Sequence, residues 1–269
     1  MRINIINQQK KEELKNKYIG MKNINTQGYP MIITNYNTSK DIEVTFDDDN
    51  HTVVKGIDVG NFKRGSVNNP NHPTVYGFGI VDVNRNYIAR EKEYQMWSHM
   101  IERCYVPDDM RKQRDSTYKD CNVCEEWKRY SQFYKWIHEQ ENYKLWENGG
   151  FSIDKDIIKK GNKLYCPEYS CLVPNYINNI FTKHQGHRGK YPIGVSINIY
   201  GTFTVTVKDY KTNKYKHYGN FGSQEEAFNF YKSKKEEYIK NVAQEEYSKG
   251  NIIEKCYNSM INYEVEITD

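Results

Sequence analysis

The chain has 269 residues, and its 39 Lys and Arg against 35 Asp and Glu leave a formal net charge of only +4. That length exceeds the usual single domain of roughly 100 to 200 residues and suits two or three small ones, while the near balance of charge excludes a uniformly basic or acidic protein. Hydrophobic residues are only 37% of the chain, yet aromatics reach 14% with 24 tyrosines, so the expected cores are small and built from large rings with polar edges.

The first stretch, "MRINIINQQKKEELKNKY", has no apolar segment of signal-peptide length, and nowhere do about 18 apolar residues run together. Neither secretion nor membrane insertion is expected, and the chain reads as cytosolic. Between residues 20 and 80, "YPMIITNY", "DIEVTF" and "HTVVKGIDV" are β-branched and aromatic-rich, with Gly, Asn and Asp turn signals between them. They predict a small β module over residues 1–85, in which "NNPNHP" at 68–73 is a polar, Pro-rich break and "YGFGIVDVNRNY" leads into the next region. From Glu91 the period becomes helical. Tyr94, Trp97, Ile101 and Cys104 share one face, and Trp127, Tyr130, Tyr134 and Ile137 repeat the spacing, which predicts two amphipathic helices around a polar loop at 105–120.

Phe151 to Asp156 then reads as a strand, Gly161-Asn162 as a turn, Cys171 to Val173 as a second strand, and Pro174 as the first position of a helix running to about Phe181. Such a ββα unit can hold one divalent metal against a scissile phosphate, the metal polarising the phosphate while a base activates water. Asp154 or Asp156 with Asn178 or Asn179 would supply the oxygen ligands; the alternative is a solvated Asp-x-Asp loop.

After the linker "KHQGHRGK", where His184 and His187 suit metal, phosphate or plain solvent, "IGVSINIY", "GTFTVTVKDY" and "KYKHYGNF" predict three strands. Ser223 with Glu226 forms a capping box that opens a helix with Ala227, Tyr231, Tyr238 and Val242 on its inner face. Residues 249–269 carry no clear signal. From Thr182 to Asn220 seven Lys and Arg (Lys183, Arg188, Lys190, Lys208, Lys211, Lys214, Lys216) face one acid, Asp209, the electrostatic footprint of a nucleic-acid site or else of a solvated lysine-rich loop.

Six cysteines in a chain of this kind suit thiols or metal ligands rather than a disulfide framework. Cys121-x-x-Cys124 and, about 40 residues later, Cys166-x4-Cys171 have spacing compatible with a structural zinc; buried thiols are the other reading.

Two stretches resemble known families. "YQMWSHMIERCY", "NVCEEWKRYSQFYKW" and "FSIDKD" followed by "YCPEYSCLVPNYINN", in that order over about 90 residues, resemble the HNH-endonuclease-like proteins of bacteriophages. The match rests on Trp97, Met100, Arg103, Cys104, Tyr105, Val123, Cys124, Glu126, Trp127, Asp154, Lys155, Asp156, Tyr165, Pro167, Glu168, Cys171 and Asn178. The resemblance implies a catalytic set of Asp154, Lys155, Asp156 and Asn178, with Mg²⁺ or Mn²⁺ held by Asp154 and Asn178. It also shows a departure: Lys155 stands where such a site has its histidine base, and Ser170 where an asparagine orients that base. A lysine of ordinary pKa near 10.4 is a poor general base at pH 7, so Asp156 or metal-bound water would have to replace it.

"GVSINIYGTFTVTVKDYKTNKYKHYGNFGSQEEAFNFYKSKKEEYIK" resembles the plant ethylene-response-factor type of DNA-binding domain through Gly194, Val195, Gly201, Phe203, Gly219, Phe221, Glu226 and Ala227. That resemblance implies a sheet laid in the major groove of double-stranded DNA, with Ser196, Asn198, Thr206, Lys208 and His217 pointing outward; affinity would lean on Lys208, Lys211, Lys214, Lys216 and Arg188 at phosphates, and Lys190 is a further DNA-binding candidate. The N-terminal part is similar to a small β module that precedes HNH-like parts in related phage proteins, and its acidic "FDDDN" admits contact with a host protein.

The expectation is therefore a modular α+β protein: a β module at 1–85, an HNH-like ββα module with flanking helices at 86–185, a three-strand-plus-helix DNA-binding domain at 190–248 and a tail at 249–269. The function expected is phage-type DNA binding with metal-dependent, homing-type DNA cleavage in the cytoplasm of a bacterial host. The alternative is a catalytically degenerate, non-enzymatic DNA-binding regulator, or a phage protein that binds a host partner.

Overall fold

A computed structural model describes residues 2–83, 88–110, 118–181 and 190–267, with side chains from Gln8 onward. The fold is α+β, with helices and strands distributed over several small sheets. It divides into two compact units, the first made of 1–86 with Arg129–Ser131 and the second of 87–128 with 132–269.

In the first unit a helix, α1 (Arg2–Tyr18), precedes four strands, β1 (Lys22–Ile24), β2 (Pro30–Thr38), β3 (Asp41–Phe46) and β4 (Val53–Ile57), and a short α2 (Val59–Lys63). The strands form an antiparallel meander in chain order. Strict alternation on β3 buries Ile42, Val44 and Phe46 and leaves their neighbours at the surface, as a sheet with one covered face requires. Met31, Ile33 and Tyr36 of β2 complete the core, and Tyr18 of α1 stacks on Tyr36 at 5.3 Å. α1 was not expected, because its residues show little amphipathic period. Of the acids in "FDDDN", Asp48 is structural: it accepts bonds from the Thr52 backbone at 2.7 Å, the Thr52 hydroxyl at 2.6 Å and Asn69 at 2.8 Å.

The second unit begins with α3 (Lys92–Tyr105), which buries Trp97, Ile101 and Cys104 as the spacing predicted, adds Met100 and leaves Tyr94 half-buried. The Trp97 indole donates to the Trp127 carbonyl at 2.7 Å. The next helix departs from the predicted stripe. A 3-10 turn at Glu126–Lys128 precedes α4 (Tyr130–His138), and because such a turn takes about three residues rather than 3.6, the phase shifts. Phe133, Trp136 and Ile137 face inward, while Tyr134 is only half-buried. The 4.4 Å and 5.2 Å contacts of the Trp127 ring with Trp136 and Phe133 follow from that shift.

Before the 3-10 turn lies β5 (Asn122–Val123), and after α4 come α5 (Tyr143–Glu147), β6 (Phe151–Asp154), β7 (Leu164–Tyr165), β8 (Cys171–Pro174) and α6 (Asn175–Phe181). β6 and β8 pair antiparallel and β5 and β7 parallel. Pro174 ends β8 opposite Phe151 rather than opening the helix, which starts at Asn175, whose backbone N–H donates to the Gly150 carbonyl at 2.9 Å. Proline is tolerated on β8 because that strand pairs only with β6 and is an edge strand.

β9 (Val195–Ile197), β10 (Phe203–Lys208) and β11 (Tyr215–Phe221) form an antiparallel sheet with β10 central, covered by the long α7 (Gln224–Ser248). Residues 249–269, silent in the sequence, contain α8 (Glu254–Ile261). Its Cys256 and Met260 join Ile157, Cys171, Val173 and Ile177 of the ββα region and Val205, Val207, Ala227, Tyr231 and Ile239 in one core. The regions expected as separate modules at 86–185 and 190–248 are thus fused through a shared apolar interior.

The predicted cap of α7 forms: the Ser223 hydroxyl accepts from the Glu226 N–H at 3.1 Å, while the Glu226 carboxylate accepts from the Gly222 N–H at 2.9 Å. Ser223→Ala is expected to lower stability by about 1 kcal/mol. Thermal unfolding of both proteins measures it, and unchanged melting would show that water replaces the cap.

Candidate functional site

The ββα geometry is built by the β6–β8 pair. Asp154, last residue of β6, lies opposite Cys171 of the fully buried β8 and is itself only 8% exposed. Its Oδ1 accepts from the backbone N–H groups of Asp156 at 2.8 Å and Ile157 at 2.7 Å, so the carboxylate shapes the turn that leaves the strand. Burial, then the nearby Asp156 charge, pushes its pKa up to about 6 despite those two donors.

Lys155 is 5% exposed. Its Nζ donates to Asp156 Oδ1 at 2.6 Å and sits 5.8 Å and 5.6 Å from the ring centres of Tyr118 and Tyr165. Burial alone would lower the lysine pKa, but the charge and hydrogen bond of Asp156 outweigh it and hold the pKa above its ordinary value. Lys155 is therefore a fixed cation, unable to take a proton from water at neutral pH, and its ammonium engages the carboxylate that would have served as substitute base. The turn is closed by Asn162, which donates to the carbonyls of Lys155 at 2.8 Å and Leu164 at 2.7 Å. Ser170 is buried and its hydroxyl accepts from the Cys166 N–H at 3.3 Å, a local structural bond. Asn178 lies half-buried on α6, the helix that follows β8.

Asp154 and Asn178 are oxygen donors of the kind Mg²⁺ or Mn²⁺ takes, but the neighbouring Lys155 cation opposes a second positive charge. Among the described residues no group of three or more His, Cys, Asp or Glu is placed to hold a metal ion. The four cysteines read as a zinc set part company. Cys121 and Cys124 flank β5 and Cys166 follows β7, its parallel partner, whereas Cys171 lies against Cys256 of α8. The hydrogen bond with Cys256 and complete burial hold the Cys171 thiol well above its usual pKa, and burial also raises those of Cys121 and Cys124. Cys256, which sequence spacing left out, has its own thiol donating to Met260 Sδ at 3.9 Å.

The C-terminal sheet presents a second candidate surface. Register alternation sends Val205 and Val207 toward α7 and Thr204, Thr206 and Lys208 outward. Across the strands Ser196 pairs with Thr204, their hydroxyls 2.8 Å apart; His217 pairs with Thr206 at 2.8 Å; and Tyr215 pairs with Lys208. Ser196, Thr206, Lys208 and His217 thus lie together as the sequence suggested, joined by Thr204 and Tyr215, which it missed.

Two of the predicted contacts depart from that face. Asn198 builds the β9–β10 turn, its Oδ1 accepting from the N–H groups of Tyr200 at 2.9 Å and Thr202 at 3.1 Å, so its amide is not presented outward for reading bases. Lys216 pairs in register with Val207 and therefore stands on the α7 side, held by Asp209 at 2.7 Å. That bond raises the Lys216 pKa and pulls the Asp209 carboxyl well below the usual range. Lys190, Lys211 and Lys214 are exposed; Arg188, with His184 and His187, lies outside the described residues.

No known family, curated protein or solved structure matches this chain. The functional reading therefore rests on these residues. Among the described residues no helix is long and apolar enough to cross a membrane.

Proposed function

We propose that the chain binds double-stranded DNA through the outward face of β9–β11, and that its ββα region supports binding rather than cleavage. The observation that carries the DNA reading is one continuous face of Ser196, Thr204, Thr206, Lys208 and His217. Small hydroxyls and an imidazole reach base edges without the bulk that would hold a sheet away from a groove. Lys190, Lys211 and Lys214 supply phosphate contacts beside it. With about four lysines involved, binding should weaken steeply with salt, log K falling by roughly three to four per decade of concentration. Anisotropy titrations of a labelled mixed-sequence duplex against salt test this. Lys208→Ala and Lys214→Ala should each lower the slope by about one. Salt-independent binding, or none at low salt, sinks the reading.

The proposal against cleavage rests on the ion pair of the buried Lys155 with the half-exposed Asp156, at the position that the HNH resemblance gives to the base. A second reading, a metal-dependent DNA endonuclease using Asp154, Asp156 and Asn178, is favoured by the buried Asp154 with its pKa near 6, a carboxyl tuned as catalytic acids often are. Bound Mg²⁺ would supply Lewis-acid stabilisation of the phosphate in that case. Plasmid DNA incubated with the protein and Mg²⁺ or Mn²⁺ decides between them. The binding-only reading expects intact plasmid and gel shifts unchanged in Asp154→Ala. Nicking that this variant abolishes would restore the nuclease. Either activity would be exercised on DNA in a bacterial cytoplasm, and contact with a host protein through the first unit would be an addition to it.

A further inference from the structure

Two of the most exposed large apolar side chains are sequence neighbours: Ile199 is 91% exposed and Tyr200 is 83% exposed, at the tip of the β9–β10 turn. The turn that carries them is tightly tied. Besides the two bonds to its Oδ1, Asn198 donates through Nδ2 to the Thr202 hydroxyl at 2.7 Å and through its backbone N–H to the Thr202 carbonyl at 3.0 Å. Gly201 donates back to the Asn198 carbonyl at 3.1 Å and takes a φ of +80°, a conformation glycine adopts without strain. An isoleucine and a tyrosine are thus held out into water by a preorganised loop.

Isolated exposed hydrophobics are ordinary, but a rigid adjacent pair at a sheet's tip marks a surface meant to be covered. Its surroundings select the occupant. Beside the pair lie Asn198, Thr202 and the 44% exposed Ile197, so the charge around the sheet, not the polarity of the tip, separates a nucleic acid from a protein as occupant. From 190 to 220 the described charges are Lys190, Lys208, Lys211, Lys214 and Lys216 against Asp209, which complements a polyanion. The tip lies at one end of β10 and Lys208, Lys211 and Lys214 at the other. A six-residue strand spans roughly 20 Å, longer than the roughly 12 Å width of a major groove. A strand laid across the groove with its lysine end at one wall would carry the tip past the other wall to the adjacent minor groove, where apolar side chains can enter between base steps.

We propose that the β9–β10 turn is an insertion wedge for duplex DNA, with Ile199 and Tyr200 unstacking one base step beside the groove that the sheet faces. This rests on the DNA-binding reading and goes beyond it, since outward polar side chains alone require no distortion of the duplex.

The test uses the full chain and duplexes that it enriches from a randomised library, with 2-aminopurine substituted at each adenine in turn. Wild type is expected to raise 2-aminopurine fluorescence several-fold at one step. Ile199→Ser/Tyr200→Ser, which touches no core residue, is expected to lose that signal and to bind about tenfold more weakly. Lys208→Ala/Lys214→Ala should weaken binding but keep the signal at saturation. Binding by wild type without a fluorescence rise at any position overturns the wedge and leaves the DNA reading standing. Failure to enrich any duplex overturns that reading and the wedge with it. Affinity and fluorescence unchanged in the tip double variant would also overturn the wedge, assigning the tip to another partner such as a protein.

Discussion

Gly194→Ala is expected to destabilise the second unit by about 3 to 5 kcal/mol, through overpacking and backbone strain together. Gly194 takes a φ of +73°, and a Cβ built on it would lie 2.1 Å from Cδ2 and 2.2 Å from Cε2 of Tyr231. Tyr231 cannot swing away, because it is buried in the core beneath the sheet. The backbone cannot retreat cheaply either, since the Gly194 carbonyl accepts from the Thr206 N–H at 2.9 Å. Urea unfolding measures the loss. Tyr231→Ala alone should cost several kcal/mol as a cavity, yet in the Gly194→Ala background it should relieve the clash. The double variant is then expected to be more stable than the sum of the single effects by about 2 kcal/mol. A Gly194→Ala protein within about 0.5 kcal/mol of wild type would show that strand and helix do not approach as described. The consequence reaches function, because β9 carries both Ser196 and the start of the wedge.

Asp154→Asn is expected to stabilise the protein at pH 7.5 in EDTA by about 2 to 3 kcal/mol. The fold raises the Asp154 pKa from 3.8 to about 6, so between these values the folded state holds a proton that the unfolded chain has lost. Folded-state proton binding thus exceeds unfolded, and stability falls as pH rises through that window. Below about pH 4 the carboxyl is neutral in both states and the penalty disappears. Asparagine keeps an oxygen to accept from the Asp156 and Ile157 N–H groups but has no charge to bury. The advantage of the variant should therefore shrink toward zero as pH drops from 7 to 4. Denaturant melts at several pH values test it: a variant less stable than wild type at pH 7.5, or a difference flat with pH, counts against it. A more stable Asp154→Asn variant would show that folding does not require this charge, and the nicking assay on Asp154→Ala tests whether function does.

Much of the site could be read from residue types. The spacing of Trp97, Ile101 and Cys104 placed α3, and the Ser223–Glu226 pair placed the start of α7, because both signals are local. The oppositions along β10 and β11 were harder. Asn198 and Lys216 have residue types suited to DNA, but turn hydrogen bonding claims one and strand parity turns the other toward α7. Thr204 and Tyr215 belong to the face for the same reason of parity, which depends on register. α1 and α8 escaped because the apolar residues of one follow no helical period and the other, eight residues long, owes its place to packing.

By itself the sequence determined the α+β class, the strand–turn–strand–helix around Asp154 and the three strands and capped helix that follow, since period, turn residues and caps act within a few residues of each other. It also carries the oddity that the HNH resemblance exposes, a lysine at the position where that resemblance implies a base. Only the tertiary structure decided what that lysine does. Burial between Tyr118 and Tyr165 would have favoured a neutral amine, and the contact with Asp156 reversed it, a balance of desolvation against charge that no spacing encodes. The same holds for Cys171, whose pairing with Cys256 spans 85 residues of chain, from 171 to 256, and arises because α8 packs onto the ββα core.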